Sequence, residues 1–344
     1  MNETPKAQPS RSVAVIYNPV ERGGEAVVRG VIDGATEAHD AIEALGHRVS
    51  LLRLDEGVRP FVEALDALRP DVVFNLCEGY RESSAGEYCV AGLLELLGVP
   101  YTGSGPMALG IALDKPLSKE LFGARQIPTP RFAVYRQMPQ SLTPLTFPLI
   151  LKLAAEDASL GITPDNVVFD DASTLRRLQQ LLDEYHSPVL AEEFIDGREF
   201  TVALFDGQPL LVEEIEIHVE PRIVGFRAKW DAGSAEYRGT PPVFVPIITN
   251  QQREELMTLA ARVWDAIGIR DYARVDFRMD AHGRIYVLEA NPNPDISAGS
   301  GFRRSLEAAN ISYPDFIARL LDNALRRGPV TPSSVSGKDQ DERC

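Results

Sequence analysis

The segment DYARVDFRMDAHGRIYVLEANPNPD, residues 271–295, constrains the fold of this chain more than any other stretch. Two alternating runs, Tyr272–Met279 and Arg284–Asn291, flank Asp280-Ala281-His282-Gly283 and read as a β-hairpin. A symmetric two- or four-residue loop sets Met279 opposite Arg284, Arg274 opposite Glu289, Tyr272 opposite Asn291 and Asp276 opposite Val287. Side chains alternate between the faces of a strand. Arg274, Asp276, Glu289 and Asn291 therefore share one face, with Val275, Phe277, Leu288 and Ala290 on the other. Two carboxylates and an amide oxygen are hard oxygen ligands suited to Mg²⁺, and a neighbouring arginine stabilises developing negative charge. The same residues also suit a solvated face with a cross-strand Arg274–Glu289 pair. The Pro-rich stop NPNPD weakens that simpler reading, because it imposes irregular backbone just after the polar cluster.

Upstream, short apolar runs alternate with helical stretches: strands at Val13–Tyr17, Val49–Leu54, Asp71–Leu76 and Val99–Tyr101, helices near Gly34–Leu45, Pro60–Leu68 and Gly86–Leu97. This is the pattern of a parallel, doubly wound layer, expected over residues 13–108. A second region, 109–196, opens with a helix carrying Asp114 and Lys115. Strands are expected at Phe132–Tyr135, Leu149–Leu153, Val167–Phe169 and Val189–Phe194, with a helix at Ser173–Tyr185. A third, 197–328, holds strands at Phe200–Phe205, Leu210–Ile217 and Phe226–Trp230. A helix capped by Thr249 and Gln252, the hairpin and two terminal helices complete it. The ends, 1–12 and 329–344, are Pro/Ser/charge-rich and expected to be disordered.

Lys plus Arg number 35 and Asp plus Glu 50, a net charge of −15 that disfavours nucleic acid and anionic membranes. Three cysteines make neither a disulfide framework nor a zinc spacing, no secretory signal or membrane-length apolar run is visible, and a cytoplasmic location is expected. Any phosphate ligand needs a local basic site. Lys115 on its helix and Lys152 inside the strand PLILKLA are candidates, because a lysine in an apolar strand either snorkels out or meets an anion. AAEDASLGI follows Lys152, and its small polar residues with Gly161 can offer consecutive N–H groups to phosphate, although a plain turn fits too. In VLAEEFIDGREF, Glu192, Glu193 and Glu199 need donors if buried; an adenine amino group and ribose hydroxyls are suitable, as is solvent at an edge strand.

Taken in order, LLELLGVPYTGSGPMALGIALDK, IPTPRF, PLILKLAAEDASLGI, VLAEEFIDGREFTV, FRAKW, ARVDFRMD and LEANPNP resemble the ATP-grasp superfamily, and within it the D-alanine–D-alanine ligases and their relatives. The resemblance implies an α/β fold: an N-terminal Rossmann-like parallel-sheet domain followed by a two-lobed, α+β ATP-grasp unit. It implies ATP and two Mg²⁺ ions, amino-acid or peptide substrates and a homodimer. Lys115 and Lys152 are implied at the phosphates, Ser159 and Gly161 in the loop covering them, and Lys229 on a lid contacting the transferring phosphate. Glu192 is implied at the adenine amino group, the backbone of Glu193, Phe194 and Ile195 along the base, and Glu199 at the ribose. Asp276, Glu289 and Asn291 are implied as metal ligands, Arg274 at the acyl-phosphate carbonyl oxygen, and Ser300 at the carboxylate of the second amino acid. The implied reaction activates a carboxylate as an acyl phosphate, releasing ADP, and an amine then displaces phosphate.

The substrate side departs from this pattern. Cys77 stands where histidine is expected, Ala158 and Trp230 replace the serine and tyrosine of a substrate-side triad, and Glu21 or Glu25 is left to supply its glutamate. Asp295 replaces a glycine whose N–H helps hold the oxyanion, and Arg303, followed by Arg304, stands where proline is usual. These changes point to an amine substrate other than D-alanine, with Arg303 or Arg304 meeting an extra anionic group; a helix-surface arginine pair is the simpler alternative. The general reading is a carboxylate–amine ligase. The alternatives are a cell-wall D-alanine–D-alanine ligase and a non-catalytic ATP-binding protein.

Overall fold

The structure, a computed structural model, describes residues 9–18, 25–81, 83–156, 161–225, 227–228, 233–243 and 246–329. The first domain alternates strand and helix as its apolar runs require: β1 Ser12–Tyr17, α1 Glu25–Ala44, β2 Arg48–Arg53, α2 Val58–Leu68, β3 Val72–Leu76 and α3 Gly86–Leu97. The strands form a parallel sheet in the order β2-β1-β3, and Tyr101 adds a parallel bridge to Val73. β1 and β3 are covered on both faces and read as mainly apolar runs, whereas β2, at the edge, is largely exposed and carries Arg48, Ser50 and Arg53. Ala14, Ile16 and Val73 pack on Phe61, Leu65 and Leu94, while Val13, Val15 and Phe74 pack on Ala38, Ile42 and Phe316.

Two expectations change here. α1 begins nine residues before Gly34, which lies inside the helix. Residues 9–12, expected to be disordered, are ordered at the sheet: Ser10 Oγ donates to Gly46 O at 2.8 Å and Ser12 starts β1.

Helices α4 Pro106–Leu113 and α5 Lys115–Ala124 lead into a four-stranded antiparallel sheet, order β4-β7-β5-β6, made of β4 Phe132–Tyr135, β5 Leu149–Leu153, β6 Val167–Val168 and β7 Val189–Glu193, with α6 Asp171–Tyr185 behind it. Asp114 separates the two helices by capping the second, its carboxylate accepting from Leu117 N at 3.0 Å. A five-stranded antiparallel sheet follows, order β10-β9-β8-β11-β12. Its strands are β8 Gly197–Phe205, β9 Gln208–Ile215, β10 Pro242–Val243, β11 Tyr272–Asp280 and β12 Ile285–Asn291. A short helix α7, Ala235–Arg238, precedes β10, and α8, Asn250–Ile267, starts at the expected Thr249–Gln252 capping box. One face of this sheet, with Phe200, Val202, Val275 and Phe277, buries against Leu256, Ala260 and Val263 of α8. The opposite face packs Ala203, Phe205 and Tyr272 against Phe302 and Phe316 and leaves its remainder for the site. α9 Gly301–Ala308 and α10 Tyr313–Arg327 close the chain against the first domain. The strand expected at 226–230 is not supported: Arg227 and Ala228 are helical, and its other residues lie outside the described ones.

Asp271 ties these parts together. It is 3% exposed and its carboxylate accepts from Arg327 Nη1 at 2.6 Å, Arg327 Nη2 at 2.8 Å and Gly103 N at 2.7 Å. Arg327 also donates to Tyr101 O at 2.9 Å, so one pair, buried at its carboxylate and part-exposed at its guanidinium, joins the first domain, the start of β11 and the end of α10. Losing the carboxylate leaves the buried Gly103 N–H and the Arg327 guanidinium without their charged acceptor. Asp271→Asn is therefore expected to lower folding free energy by about 1–3 kcal/mol in urea unfolding, whereas a surface pair would lose ~1 kcal/mol or less.

Candidate active site

The hairpin forms with its four polar residues on one face, but in a different register. Arg274 lies opposite Asn291 and Asp276 opposite Glu289, where Arg274 had been expected opposite Glu289. Two local causes add up. The turn spans five residues, with Met279 opposite Ile285, because the Asp280 carboxylate accepts from His282 N at 2.9 Å and Arg284 N at 3.0 Å and pairs with Arg284 Nε at 2.7 Å. The ladder also shifts between Asp276 and Phe277, which leaves Leu288 as an extra residue. Leu288 consequently turns from the expected core face into the cleft. Two one-residue offsets restore the alternation, so the polar face survives.

That face has a cost that identifies its use. Carboxylates directly opposite one another in a ladder repel, and the Asp276–Glu289 pair is such a case. Each has a cation beside it: Arg274 grips Asp276 with Nε–Oδ1 at 2.7 Å and Nη2–Oδ2 at 2.9 Å, and Lys115 Nζ lies 3.7 Å from Glu289 Oε2. Burial opposes the charge on Arg274, but Asp276, then Glu289 and Glu213, hold its pKa above the ordinary arginine value. Asn291 presents Oδ1 to Asn293 N at 2.9 Å, so its oxygen is fixed in direction. The donor set of two carboxylates and one amide oxygen fits a hard divalent cation such as Mg²⁺.

Facing this sheet across a cleft of about 800 Å³, open to solvent, is the four-stranded sheet. The cleft brings together Lys115, Lys152, Glu192, Phe194, Ile195, Glu199, Asp276 and Glu289, all singled out from the sequence. The donors that the acidic strand demanded come from the protein itself. Glu192, 1% exposed, is clasped by Lys119 Nζ at 2.5 Å and Lys152 Nζ at 3.0 Å. Burial raises the Glu192 pKa, but the two ammonium groups outweigh it and hold the carboxyl below the ordinary glutamate value. Glu199 pairs with Arg278 Nη2 at 2.7 Å. Glu193 turns its carboxylate outward to Thr146 N at 2.8 Å and Arg131, and its own N–H donates to Arg131 O at 2.9 Å. Lys115, at the first turn of α5, places Nζ 2.5 Å from Glu156 O, within the segment expected to cover phosphate. Gly161, in the same segment, has φ +71, a conformation that favours glycine.

Lys119, Arg278 and Leu288 escaped the sequence reading. Lys119 is one helical turn from Lys115, and Arg278 continues the alternation of Arg274 and Asp276, so spacing carried a signal for both. Ser159, Lys229, Trp230, Ala158 and Glu21 lie outside the described residues. Cys77 is a core residue: burial, then Glu87 and Glu78, pushes its thiol up, and its carbonyl accepts from Asn293 Nδ2 at 3.3 Å. Asp295 accepts from Ser297 N at 2.8 Å, while Ser300 caps α9 by accepting from Arg303 N at 3.2 Å. Arg303 is not an open cation. Its Nη2 pairs with Glu37 at 2.9 Å and its guanidinium lies 3.4 Å over the Tyr313 ring.

Lys119→Met would leave the buried Glu192 with one ammonium, an expected loss of about 3 kcal/mol in chemical unfolding near neutral pH. The lowered Glu192 pKa contributes stability that is full above the ordinary value of 4.5 and is lost as pH falls through the folded value. Wild type and variant should therefore converge in acid.

Residues 126–322 match the family model "D-ala D-ala ligase C-terminus", more than half of the chain. The chain is 33% identical over 314 residues to a D-alanine–D-alanine ligase of Pseudomonas putida, covering 90% of this chain and 92% of that protein. It is 34% identical over 303 residues to the uncharacterized protein y4sG of Sinorhizobium fredii, covering 83% and 86%. In fold it matches the Bacillus anthracis D-alanine–D-alanine ligase, with TM-score 0.75 at 24% identity, over 92% of this chain and 98% of that one. The same enzyme complexed with ATP gives TM-score 0.74 at 22% identity. No helix among the described residues is long and apolar enough to cross a membrane. The order of domains, the charged cleft between two antiparallel sheets and these likenesses together make the chain a member of the D-alanine–D-alanine ligase family, an ATP-grasp ligase.

Proposed function

We propose that the chain uses ATP to join the carboxylate of one amino-acid-type substrate to the amine of another, through an acyl phosphate, with release of ADP and phosphate. The observation that carries this reading is the opposed Asp276–Glu289 pair with Arg274 beside it, facing Lys152 and flanked by Lys115. Nucleotide binding by itself has no use for an arginine beside the carboxylate pair; acyl transfer does, because negative charge develops on the carbonyl oxygen.

A carboxylate is a poor acyl donor, so phosphate must first be attached as a leaving group. Lys115 and Lys152 neutralise the phosphates on whose terminal phosphorus the first substrate's carboxylate acts. To reach them, Lys152 exchanges Glu192 for phosphate, and Glu192 keeps Lys119 as its counterion. Phe194, Ile195 and Leu288 supply an apolar slot for the base, with Glu192 and Glu199 at its polar edges. Asp276, Glu289 and Asn291 would hold Mg²⁺, which supplies charge neutralisation for the phosphates when bound. Arg274, held in direction by Asp276, meets the carbonyl oxygen of the acyl phosphate while the amine adds and phosphate leaves. The domain divisions proposed are 13–108, 109–196 and 197–328. A cytoplasmic location and a homodimer belong to the same reading.

D-alanine for both substrates is the second reading, favoured by the 33% identity to a D-alanine–D-alanine ligase. A screen of ADP release over pairs of amino acids and dipeptides, with Mg²⁺, tests both. Release should require two substrates and fall at least about 100-fold in Glu289→Ala, equivalent to ~2.7 kcal/mol of barrier. No release with any pair would replace the ligase reading by that of a non-catalytic ATP-binding protein.

A further inference from the structure

Two consecutive arginines in the first turn of α9 have opposite surroundings. Arg303 points to Glu37 of the first domain, and the Tyr313 ring of α10 covers its guanidinium, leaving its side chain 13% exposed. Arg304 points the other way, across β9. Its Nη2 pairs with Glu213 Oε1 at 2.9 Å, another nitrogen donates to Gly299 O, and 30% of its side chain stays exposed. Of the two cations on the substrate side, Arg304 is the more exposed.

Glu213 is the unusual partner. Its side chain is 3% exposed, on a strand where Leu211 and Val212 precede it. In the sheet it lies opposite Thr201, which lies opposite Asp276, which lies opposite Glu289, so all four project from the cleft face. Two strand spacings, roughly 10 Å, separate Glu213 from Asp276. Burial pushes the Glu213 carboxyl up and Arg304 opposes this, with Arg274 and Asp276 close enough to act on it as well. A buried ion pair adds little to stability over apolar residues of the same size. What Glu213 does supply is direction: it holds a part-exposed guanidinium beside the sheet face that carries Asp276 and Arg274.

We propose that Arg304, aimed by Glu213, binds the side-chain carboxylate of an acidic acceptor amino acid, so that the amine substrate is of the aspartate or glutamate class. This rests on the ligase reading. Helical side chains lean toward the N-terminus, and Arg304 accordingly folds back to Gly299 O, beside Ser300. An acceptor with its α-carboxylate at Ser300 and its amine toward Arg274 directs its side chain to the remaining side of this corner, where Arg304 stands. Arginine is suited to the task because its planar fork matches a carboxylate with two parallel bonds. Glu213 is a positioning residue here: its burial keeps it from the ligand, and it acts through the guanidinium.

The test is ADP release with Mg·ATP, with D- and L-alanine, aspartate and glutamate each supplied as donor and as acceptor. An acidic acceptor should exceed alanine in kcat/KM by about 10- to 100-fold, the range of a charge-assisted hydrogen bond. In Arg304→Gln the ratio of acidic to alanine acceptor should collapse toward one, through the acceptor KM and with the ATP KM kept. Glu213→Gln should lower the same ratio. Alanine equal to or better than the acids in the wild type, a measurement that needs no variant, would overturn the proposal and leave the ligase reading intact. A preference for acids that persists in Arg304→Gln would also overturn it. If no pair releases ADP, the ligase reading fails, and calorimetric titration of aspartate and glutamate into the protein loaded with a non-hydrolysable ATP analogue decides. Binding lost in Arg304→Gln supports an acidic-ligand site, and no binding removes it.

Discussion

Glu192 sits at the centre of the four-stranded sheet with an ammonium on each side, and the cleft is organised around the need to keep it neutralised. A buried carboxylate without a partner is among the most unfavourable groups a fold can contain. Lys119 comes from α5 and Lys152 from β5, so satisfying this charge fixes how the helix docks on the sheet. The same logic runs along the opposite wall. Glu199 has Arg278, Asp276 has Arg274, and Glu213 has Arg304. Each of these carboxylates thus has an internal counterion. Glu192 has two, so on the proposed reading one of them, Lys152, is available to a phosphate.

The polar face of the hairpin was legible because alternation tolerates an even error in register. Arg274, Asp276, Glu289 and Asn291 stay together whether Arg274 opposes Glu289 or Asn291. The register itself was not legible, since it depends on the Asp280 side chain widening the turn and on one extra residue at Leu288. Leu288 shows the cost of that blind spot: read as core, it lines the cleft. The parallel sheet was legible for a different reason, its central strand β1 and neighbour β3 being buried on both faces and hence mainly apolar. The start of α1 was not: the helix was expected from Gly34, whereas it already runs from Glu25 through Gly30.

Partners drawn from distant parts of the chain left weaker traces. Glu192 and Glu199 announced that donors were needed, but nothing local says that Lys119 and Arg278 provide them. Arg303 and Arg304 are adjacent in sequence and look like a pair; the fold separates them, one to Glu37 of α1 and the other to Glu213 of β9. Net charge was similarly blunt. The −15 of the whole chain is compatible with a phosphate site because Lys115 and Lys152 converge on one cleft from separate elements.

The central claim is that this cleft releases its internal ion pairs to take Mg·ATP. A crystal structure of the chain grown with Mg²⁺ and a non-hydrolysable ATP analogue tests it most directly. The expected result places the phosphates between Lys115 and Lys152, a cation between Asp276 and Glu289, and Glu192 still on Lys119 but parted from Lys152. Nucleotide bound outside the cleft, or phosphates in the cleft with Lys152 still on Glu192, would contradict it.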